Sequence, residues 1–508
     1  MSGGELLLGI DIGTASSKAV LVSPDGEVVA WATRLHELSL PWPGWAEHDA
    51  LGVWWTDILG LCAELLAEGN GQRVAGICVS GIGPCLLAAD ADGAPLRPAI
   101  LYGIDTRATA EIAELEERLG ADEILARGGS PLTSQAVGPK LLWLARNEPE
   151  VWKRTAMLLM ASSFAVHRLT GEYVLDRHSA SQCDPLYDAA ANVWIDEWAE
   201  EVAPGLTLPR LLWPAEIAGE VSPAAAAAIG VPPGTPVVAG TVDAWAEATS
   251  VGVEAPGDAM LMYGSTMFMV EVLSGLHRHP KLWSTAGVRP GTHTLAAGMA
   301  TSGSLTGWLR DLAGKPPWED LLAEAGAVAP GAEGLLALPY FAGERTPVFD
   351  PDARGLICGL TLSHGRGHVY RALLEATAYG VRHNFEVMRE VGGGSRRLVA
   401  VGGGTTGGLW TQIVSNVTGQ TQEIPTQAIG ASYGDARFAA EAVGLIGSDV
   451  SWGNPIAGVV EPEPERSELY DRLYGLYRDA YPATAEIAHE LAGIQRDVVA
   501  QPEPSPNA

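Results

Sequence analysis

Cysteine and positive charge are both scarce in this chain, and it has no long hydrophobic run. The five cysteines (Cys62, Cys78, Cys85, Cys183 and Cys358) are scattered, odd in number and form no CxxC pair. This argues against a structural zinc site and fits a reducing cytosol. Lysine and arginine together number 32 against 61 acids, for a net charge of −29. So acidic a surface repels nucleic acid and anionic membrane, so neither is expected as a partner. An anionic nucleotide, if bound, needs locally arranged N–H groups, Mg²⁺ and a few cations. The most apolar stretch, Ala156 to Val166, contains Ser162 and Ser163, is too short to span a bilayer and reads as a core helix. The opening MSGGE lacks a basic segment and runs straight into a strand, so no signal peptide is expected and the chain is placed in the cytoplasm.

The composition is that of a globular protein, with 47% hydrophobic and 18% charged residues. At 508 residues the chain is too long for one ordinary core, and two large domains are expected. In the first part, strands are expected at 6–12, 18–23, 27–33, 74–80, 84–89 and 99–101. Helices are expected at 50–68, 105–118, 138–146 and 159–169. This mixed order implies a layered α/β domain. The Pro/Gly-rich stretch Gly230 to Gly240 marks a boundary zone. Beyond it, 259–272 repeats the strand, Gly/Ser/Thr turn and strand of the opening, which suggests a duplicated fold. An amphipathic helix is expected at 368–391, with Leu374, Val381, Phe385 and Met388 on one face. A strand (398–401), the loop GGGTTGG (402–408) and a helix from Leu409 follow. A last helix covers about 465–493, and the Pro-rich tail 496–508 is expected to be disordered.

Residues 6–22, LLLGIDIGTASSKAVLV, carry the strongest chemical signal. An acid at the inner end of a buried strand needs a partner or a metal. A small-residue turn with hydroxyls can approach phosphate oxygens closely. Asp11, Thr14, Ser17 and Lys18 therefore read as a site for nucleotide phosphates and their Mg²⁺, against the blander alternative of a tight hairpin with a surface lysine. Asp243 follows an apolar strand and a Gly-Thr turn and precedes a helix. It reads either as a helix N-cap or as a general base at the carboxyl end of a strand. Gly402, Gly404 and Gly407 satisfy GxGxxG, with Glu423 about twenty residues on. That loop fits a dinucleotide site, an adenosine cradle or plain helix–strand packing. His277 and His279 read as surface histidines. Trp42, Trp45, Trp54 and Trp55 read as core or cleft wall, with Trp45, Glu47 and Asp49 as possible neighbours of a sugar.

Taken in order, these segments resemble the FGGY family of carbohydrate kinases, in its xylulokinase-like branch, over roughly residues 6–446. DIGTASSK is similar to the family's phosphate motif and PGWAEHDALGVWW (43–55) to its Trp/acid segment. LYGIDTRA (101–108) is similar to its substrate loop and GPKLLWL (138–144) to its core helix. GERTP (343–347) and the run Gly355, Ile357, Gly359, Leu360, His368, Val369, Ala372, Leu373, Leu374 and Glu375 match its C-terminal signature. The Gly402–Gly408 loop stands where the adenosine motif belongs, which favours adenosine over NAD.

The resemblance implies a duplicated, two-domain actin-like (ribonuclease H-like) α/β ATPase fold with an interdomain catalytic cleft. An N-terminal domain over 1–245 would hold the sugar and phosphates, and a C-terminal domain over 246–495 the adenosine. The implied activity is MgATP-dependent phosphorylation of a sugar hydroxyl, with ATP and Mg²⁺ as cofactors, a small sugar or polyol as partner and a homodimer as the assembly. Asp243 falls on the catalytic base and Asp11 on the metal-associated acid. Thr14, Ser17, Lys18, Ser265 and Gly303 fall on phosphate-side positions, and Gly403, Gly404 and Gly408 near the adenosine. Gly83, Pro84, Asp105, Arg107 and Asp243 fall on the sugar side. The two carboxylates are expected to come from separate lobes across a hinge. The chain departs from xylulokinases at the sugar: Ile82, Gly83, Pro84 and Cys85 stand where Gln-Met-His-Gly is usual. Tyr-Gly-Ile-Asp replaces a Trp-Asn-Asp run, one residue longer. A ketopentose such as xylulose leads as substrate, then ribulose or erythritol. An NAD-dependent oxidoreductase and a non-catalytic actin-like regulator are the other classes.

Overall fold

The run LLLGIDI forms the strand Leu6–Ile12, and every residue of it is buried. Central strands covered on both faces read as continuous apolar runs, which explains the pattern. The structure, a computed structural model, describes residues 4–427, 429–447, 452 and 454–499. The chain divides into two compact units. The first takes Met1–Pro256, Val272–Leu295 and Ile429–Pro455, and the second takes Gly257–Glu271, Ala296–Ala428 and Ile456–Ala508.

In the first unit, Leu6–Ile12 lies antiparallel to Ser16–Val22, which pairs in turn with Val28–Leu35. On its other side it runs parallel to Val74–Gly81. Next come Pro236–Val238, parallel, and Ile217–Glu220, antiparallel. The second unit repeats this arrangement. Asp258–Tyr263 lies antiparallel to Met267–Leu273 and parallel to Arg397–Val401. Gln422–Pro425 follows in parallel and Ile456–Val460 in antiparallel sense. Five strands thus correspond one to one in order and direction. The strand–turn–strand echo at 259–272 belongs to this five-strand correspondence.

The helix Ala431–Ala442 returns late in the chain to pack in the first unit, against Leu6–Ile12, Val74–Gly81 and the helix Asp243–Ser250. Two glycines permit the contact. A Cβ on Gly9 would lie 1.9 Å from the Ser432 carbonyl oxygen, and one on Gly434 would lie 1.9 Å from that of Ala246. Backbone meets backbone at both points, so no side chain fits.

Most expected elements appear, with shifts that have local causes. Ala156–Val166 is not one helix: Met157–Leu159 pairs with Leu87–Ala89, and the helix begins at Ala161. The 50–68 helix is a π-helical turn, Ala50–Trp55, leading into Thr56–Leu65. Asp49 opens it by accepting from the N–H groups of Leu51 and Gly52. The last helix continues to Val499, and residues 500–508 lie outside the described residues. All five cysteines are free thiols, four buried and Cys358 exposed. Among the described residues, no helix is long and apolar enough to cross a membrane.

Candidate active site

Asp11 is the penultimate residue of its strand, opposite Lys18 on the antiparallel neighbour and Ser80 on the parallel one. It is 9% exposed, and its Oδ1 is buried without a hydrogen-bond partner. Burial, then the carboxylates of Asp243 and Asp435, hold its pKa well above the ordinary value, while Lys18 pulls it down. Asp243 is the first residue of the helix Asp243–Ser250 and not its cap, a position taken by Val242. The Gly81 N–H donates to the Thr241 carbonyl (3.1 Å), tying this helix start to the strand Val74–Gly81. Asp243 Oδ1 accepts from the Ala244 N–H (2.7 Å). Burial pushes its pKa up to about 6, against the pull of that N–H.

Two further acids complete the cluster. Glu247, one turn beyond Asp243, is pushed up to about 7 by burial and then by Asp243. Asp435, on the helix Ala431–Ala442, accepts from Ser80 Oγ (2.6 Å) and from the Cys78 thiol (3.5 Å). It too is raised well above the ordinary carboxylate range by burial. Four carboxylates sharing one nearby lysine make a site that calls for a cation. Mg²⁺ takes one or two carboxylates and fills its shell with water and phosphate oxygens. The orphaned Asp11 Oδ1 fits that demand. Among the described residues no group of three or more His, Cys, Asp or Glu side chains is placed to hold a metal ion by itself. Asp11 and Asp243 both belong to the first unit, so separate lobes do not supply them.

The turn after Asp11 is closed by the Gly13 N–H on the Ser16 carbonyl (3.0 Å). Thr14 Oγ1 lies 3.1 Å from the Tyr102 hydroxyl, which brings the turn after Asp11 and the loop 101–108 together. Ser17 departs from expectation. It is wholly buried and donates its hydroxyl to Asp57 Oδ2 (2.8 Å), so its side chain supports the turn and does not face a phosphate.

The sugar-side residues also need correction. The side chains of Asp105 and Arg107 have no exposure, and a buried carboxylate must be paired. Asp105 Oδ2 accepts from the Ala46 N–H (2.7 Å) and from Arg107 (2.7 Å). Arg107 also pairs with Glu47 (2.9 Å) and lies 3.8 Å over the Trp45 ring. The pair shapes the loop from behind, leaving the half-buried Tyr102, Gly103 and Ile104 as its outer face. Lys140 is similarly committed, donating to the carbonyls of Ser134, Gln135 and Ala136. Gly83 packs beside Asp243's own segment: a Cβ there would lie 2.8 Å from Val242 Cγ2, and Pro84 next to it is buried.

In the second unit, Ser265 and Gly303 meet. The N–H groups of Ser302 and Ser304 donate to the Ser265 carbonyl (3.1 and 3.0 Å), and that of Gly303 to Gly264 (2.9 Å). A Cβ on Gly303 would lie 2.5 Å from the Gly264 carbonyl oxygen. In the glycine loop, Gly404 packs against Trp410 and Tyr263, whereas Gly403 and Gly408 are exposed. Glu423, the ribose acid of the NAD alternative, accepts from Arg397 Nε (2.8 Å). Glu375 of the C-terminal signature is buried and accepts from Arg371 (2.9 Å), the Gly331 N–H (2.9 Å) and Tyr470 (3.1 Å), so it serves packing.

Two sheets that share five strands in spatial order and direction, each with a strand–turn–strand opening, and an under-neutralised carboxylate cluster in the first define an actin-like ATPase of duplicated α/β fold. Comparison with known proteins places it further. Family models for the N-terminal and C-terminal domains of the FGGY carbohydrate kinases match residues 6–250 and 259–443. The chain belongs to the FGGY family of carbohydrate kinases and is an ATP-dependent sugar kinase. A xylulose kinase of Escherichia coli (strain K12) is 30% identical over 490 residues, 93% of this chain and 96% of its own length. A gluconokinase of Bacillus subtilis (strain 168) is 28% identical over 511 residues, 97% and 99% of the two chains. The crystal structure of a xylulose kinase from Rhodospirillum rubrum superimposes with a TM-score of 0.88 at 34% identity, covering 96% of this chain and all of that one.

Asp435 and Glu247 escaped the sequence reading. The sequence did carry a signal for Asp435: it lies within ASYGDARFAA, a small-residue and apolar run that only a buried helix would use.

Proposed function

We propose that this kinase transfers the γ-phosphoryl group of ATP to a hydroxyl of an uncharged ketopentose, with xylulose first among candidates. The observation that carries the reading is the first-unit cluster: a half-buried carboxylate at a helix start, Asp243, beside a second carboxylate with an unpartnered oxygen, Asp11. In this reading Asp243 accepts the proton of the attacking hydroxyl. Asp11 would hold Mg²⁺, directly or through water, and the ion would supply charge neutralisation on the phosphates. Within the first unit, backbone N–H groups of the turn after Asp11, with Lys18, orient the phosphates. Most of the rate enhancement then comes from positioning and charge stabilisation.

The committed cations favour a neutral sugar over gluconate. Lys140 is spent on three carbonyls, and Arg107 on Asp105 and Glu47. The relatives' names include both kinds of kinase, so the choice rests on this local chemistry. An ADP-release screen over ketoses, aldoses, polyols and gluconate with MgATP tests it. D-Xylulose should give the highest kcat/KM. Preference for gluconate would overturn the substrate assignment, and ATP turnover independent of any sugar would overturn the kinase reading of the site.

A further inference from the structure

Beneath the phosphate turn lies a buried polar chain that the transfer chemistry does not use. His36 directly follows the strand Val28–Leu35, and its backbone N–H donates to the Ala15 carbonyl (3.1 Å). Its ring Nε2 lies 3.1 Å from the Gly13 carbonyl oxygen and its Nδ1 2.7 Å from Asp57 Oδ2. Asp57 Oδ2 also accepts from Ser17 Oγ (2.8 Å). The side chains of His36 and Asp57 are 6% and 11% exposed. His48 stands edge-on to His36, ring centroids 5.1 Å apart, and turns its own Nδ1 to the Trp54 N–H (3.1 Å).

The proton count of this chain is constrained. A carbonyl oxygen only accepts, so His36 Nε2 must carry a hydrogen. With Nε2 protonated, a neutral ring would turn the Nδ1 lone pair on a carboxylate oxygen 2.7 Å away, which is repulsive. A proton therefore occupies the Nδ1–Oδ2 contact, and Asp57 keeps the ring in the state that donates from Nε2. The consequence reaches the turn through the planarity of the peptide. The Gly13 carbonyl and the Thr14 N–H belong to one trans peptide and point in opposite directions. Drawing the carbonyl down onto the buried ring turns the Thr14 N–H up and away from it.

We infer that His36 is a positioning residue: held by Asp57, it grips the Gly13 carbonyl and so aims the Thr14 N–H at a phosphate oxygen of the bound nucleotide. This rests on the phosphoryl-transfer reading above. A donor fixed before the reaction costs no reorganisation during it, which is why its loss is felt in turnover.

The test pairs kinetics with a direct reading of the ring. His36→Ala should lower kcat of sugar-dependent ADP release at least tenfold, with the sugar KM within twofold. Asp57→Ala should fall similarly. Asp57→Asn should keep kcat within threefold, because its amide can donate to Nδ1 and to Ser17 Oγ while Nε2–H stays on Gly13. The ¹⁵N spectrum of histidine-labelled, ligand-free wild type should show His36 Nε2 protonated. The inference is overturned if His36→Ala folds and keeps kcat within twofold, if Asp57→Asn falls as far as Asp57→Ala, or if Nε2 proves unprotonated. Should His36→Ala fail to fold, the Asp57 pair and the spectrum decide. A wild type that phosphorylates no sugar would overturn the transfer reading instead, and the ring measurement stands apart from that result.

Discussion

Asp243 gives one carboxylate oxygen to the Ala244 N–H, and its other oxygen has no protein partner among the described residues. A purely structural first-turn acid would spend itself on N–H groups of its own helix. Asp49 does so, and its role ends there. Replacing Asp243 by Asn preserves shape and the bond to Ala244 but cannot take a proton. Turnover should fall by about 10²- to 10⁴-fold, the usual worth of a positioned general base. MgATP affinity, measured by calorimetry, should stay within about threefold, since no phosphate contact is removed. A comparable loss of nucleotide affinity would move Asp243 from proton acceptor to nucleotide ligand. The neighbouring acids show which part of the carboxylate cluster the sequence makes legible. Asp11 and Asp243 sit where strands end, a place with a recognisable pattern. Asp435 is 192 residues beyond Asp243 and reaches the cluster through the helix Ala431–Ala442, so only the folded chain reveals it.

At the scale of elements, that returning helix is the structural condition for the cluster. It lies against Leu6–Ile12 at Gly9 and against Asp243–Ser250 at Gly434, where added Cβ atoms would meet carbonyl oxygens at 1.9 Å. Gly9→Ala and Gly434→Ala should each destabilise by about 1–3 kcal/mol or more, the cost of overpacking a close contact. Urea midpoints at constant m-value would report it. Gly403→Ala is the matched control, since nothing lies within 4 Å of a Cβ there, and its midpoint should not move. Periodicity located most strands and helices because apolar spacing records burial directly. It misplaced the start of Ala161–Thr170 because Met157–Leu159 is equally apolar, and only pairing with Leu87–Ala89 makes it a strand. The motif residues Asp105, Arg107 and Ser17 were legible as important but not in their role. Type and spacing do not tell whether a polar group faces a ligand or another buried polar group.

For the whole molecule, buried acids set the pH dependence of stability. Glu344 accepts from the N–H groups of Ala300 (2.8 Å) and Arg345 (2.7 Å), yet burial pushes its pKa from 4.5 up to about 8. Glu247 rises to about 7. Between the unfolded and folded values the native state holds more protons, so stability falls as pH rises through that window. His48 and His178, which burial holds neutral down to about 4, act oppositely, but only below their ordinary value of 6.5. Lys140, lowered to about 8, adds stability only as pH rises beyond that. From pH 6.5 to 8 the acids prevail, and the melting temperature of the ligand-free protein should decline. Glu344→Gln should flatten the decline, one proton being worth at most ~1.4 kcal/mol per pH unit. A melting temperature that rises over this range would contradict the assignment of these acids as buried and protonated.

The whole account turns on phosphoryl transfer to a sugar with Asp243 taking the hydroxyl proton. ³¹P NMR of the wild-type protein and Asp243→Asn, each incubated with MgATP and D-xylulose, addresses it most directly. Wild type should convert ATP to ADP with an equal amount of a sugar phosphate monoester, and Asp243→Asn should leave both signals near baseline. ADP accumulating without the ester, or the ester forming at the same rate in Asp243→Asn, would contradict it.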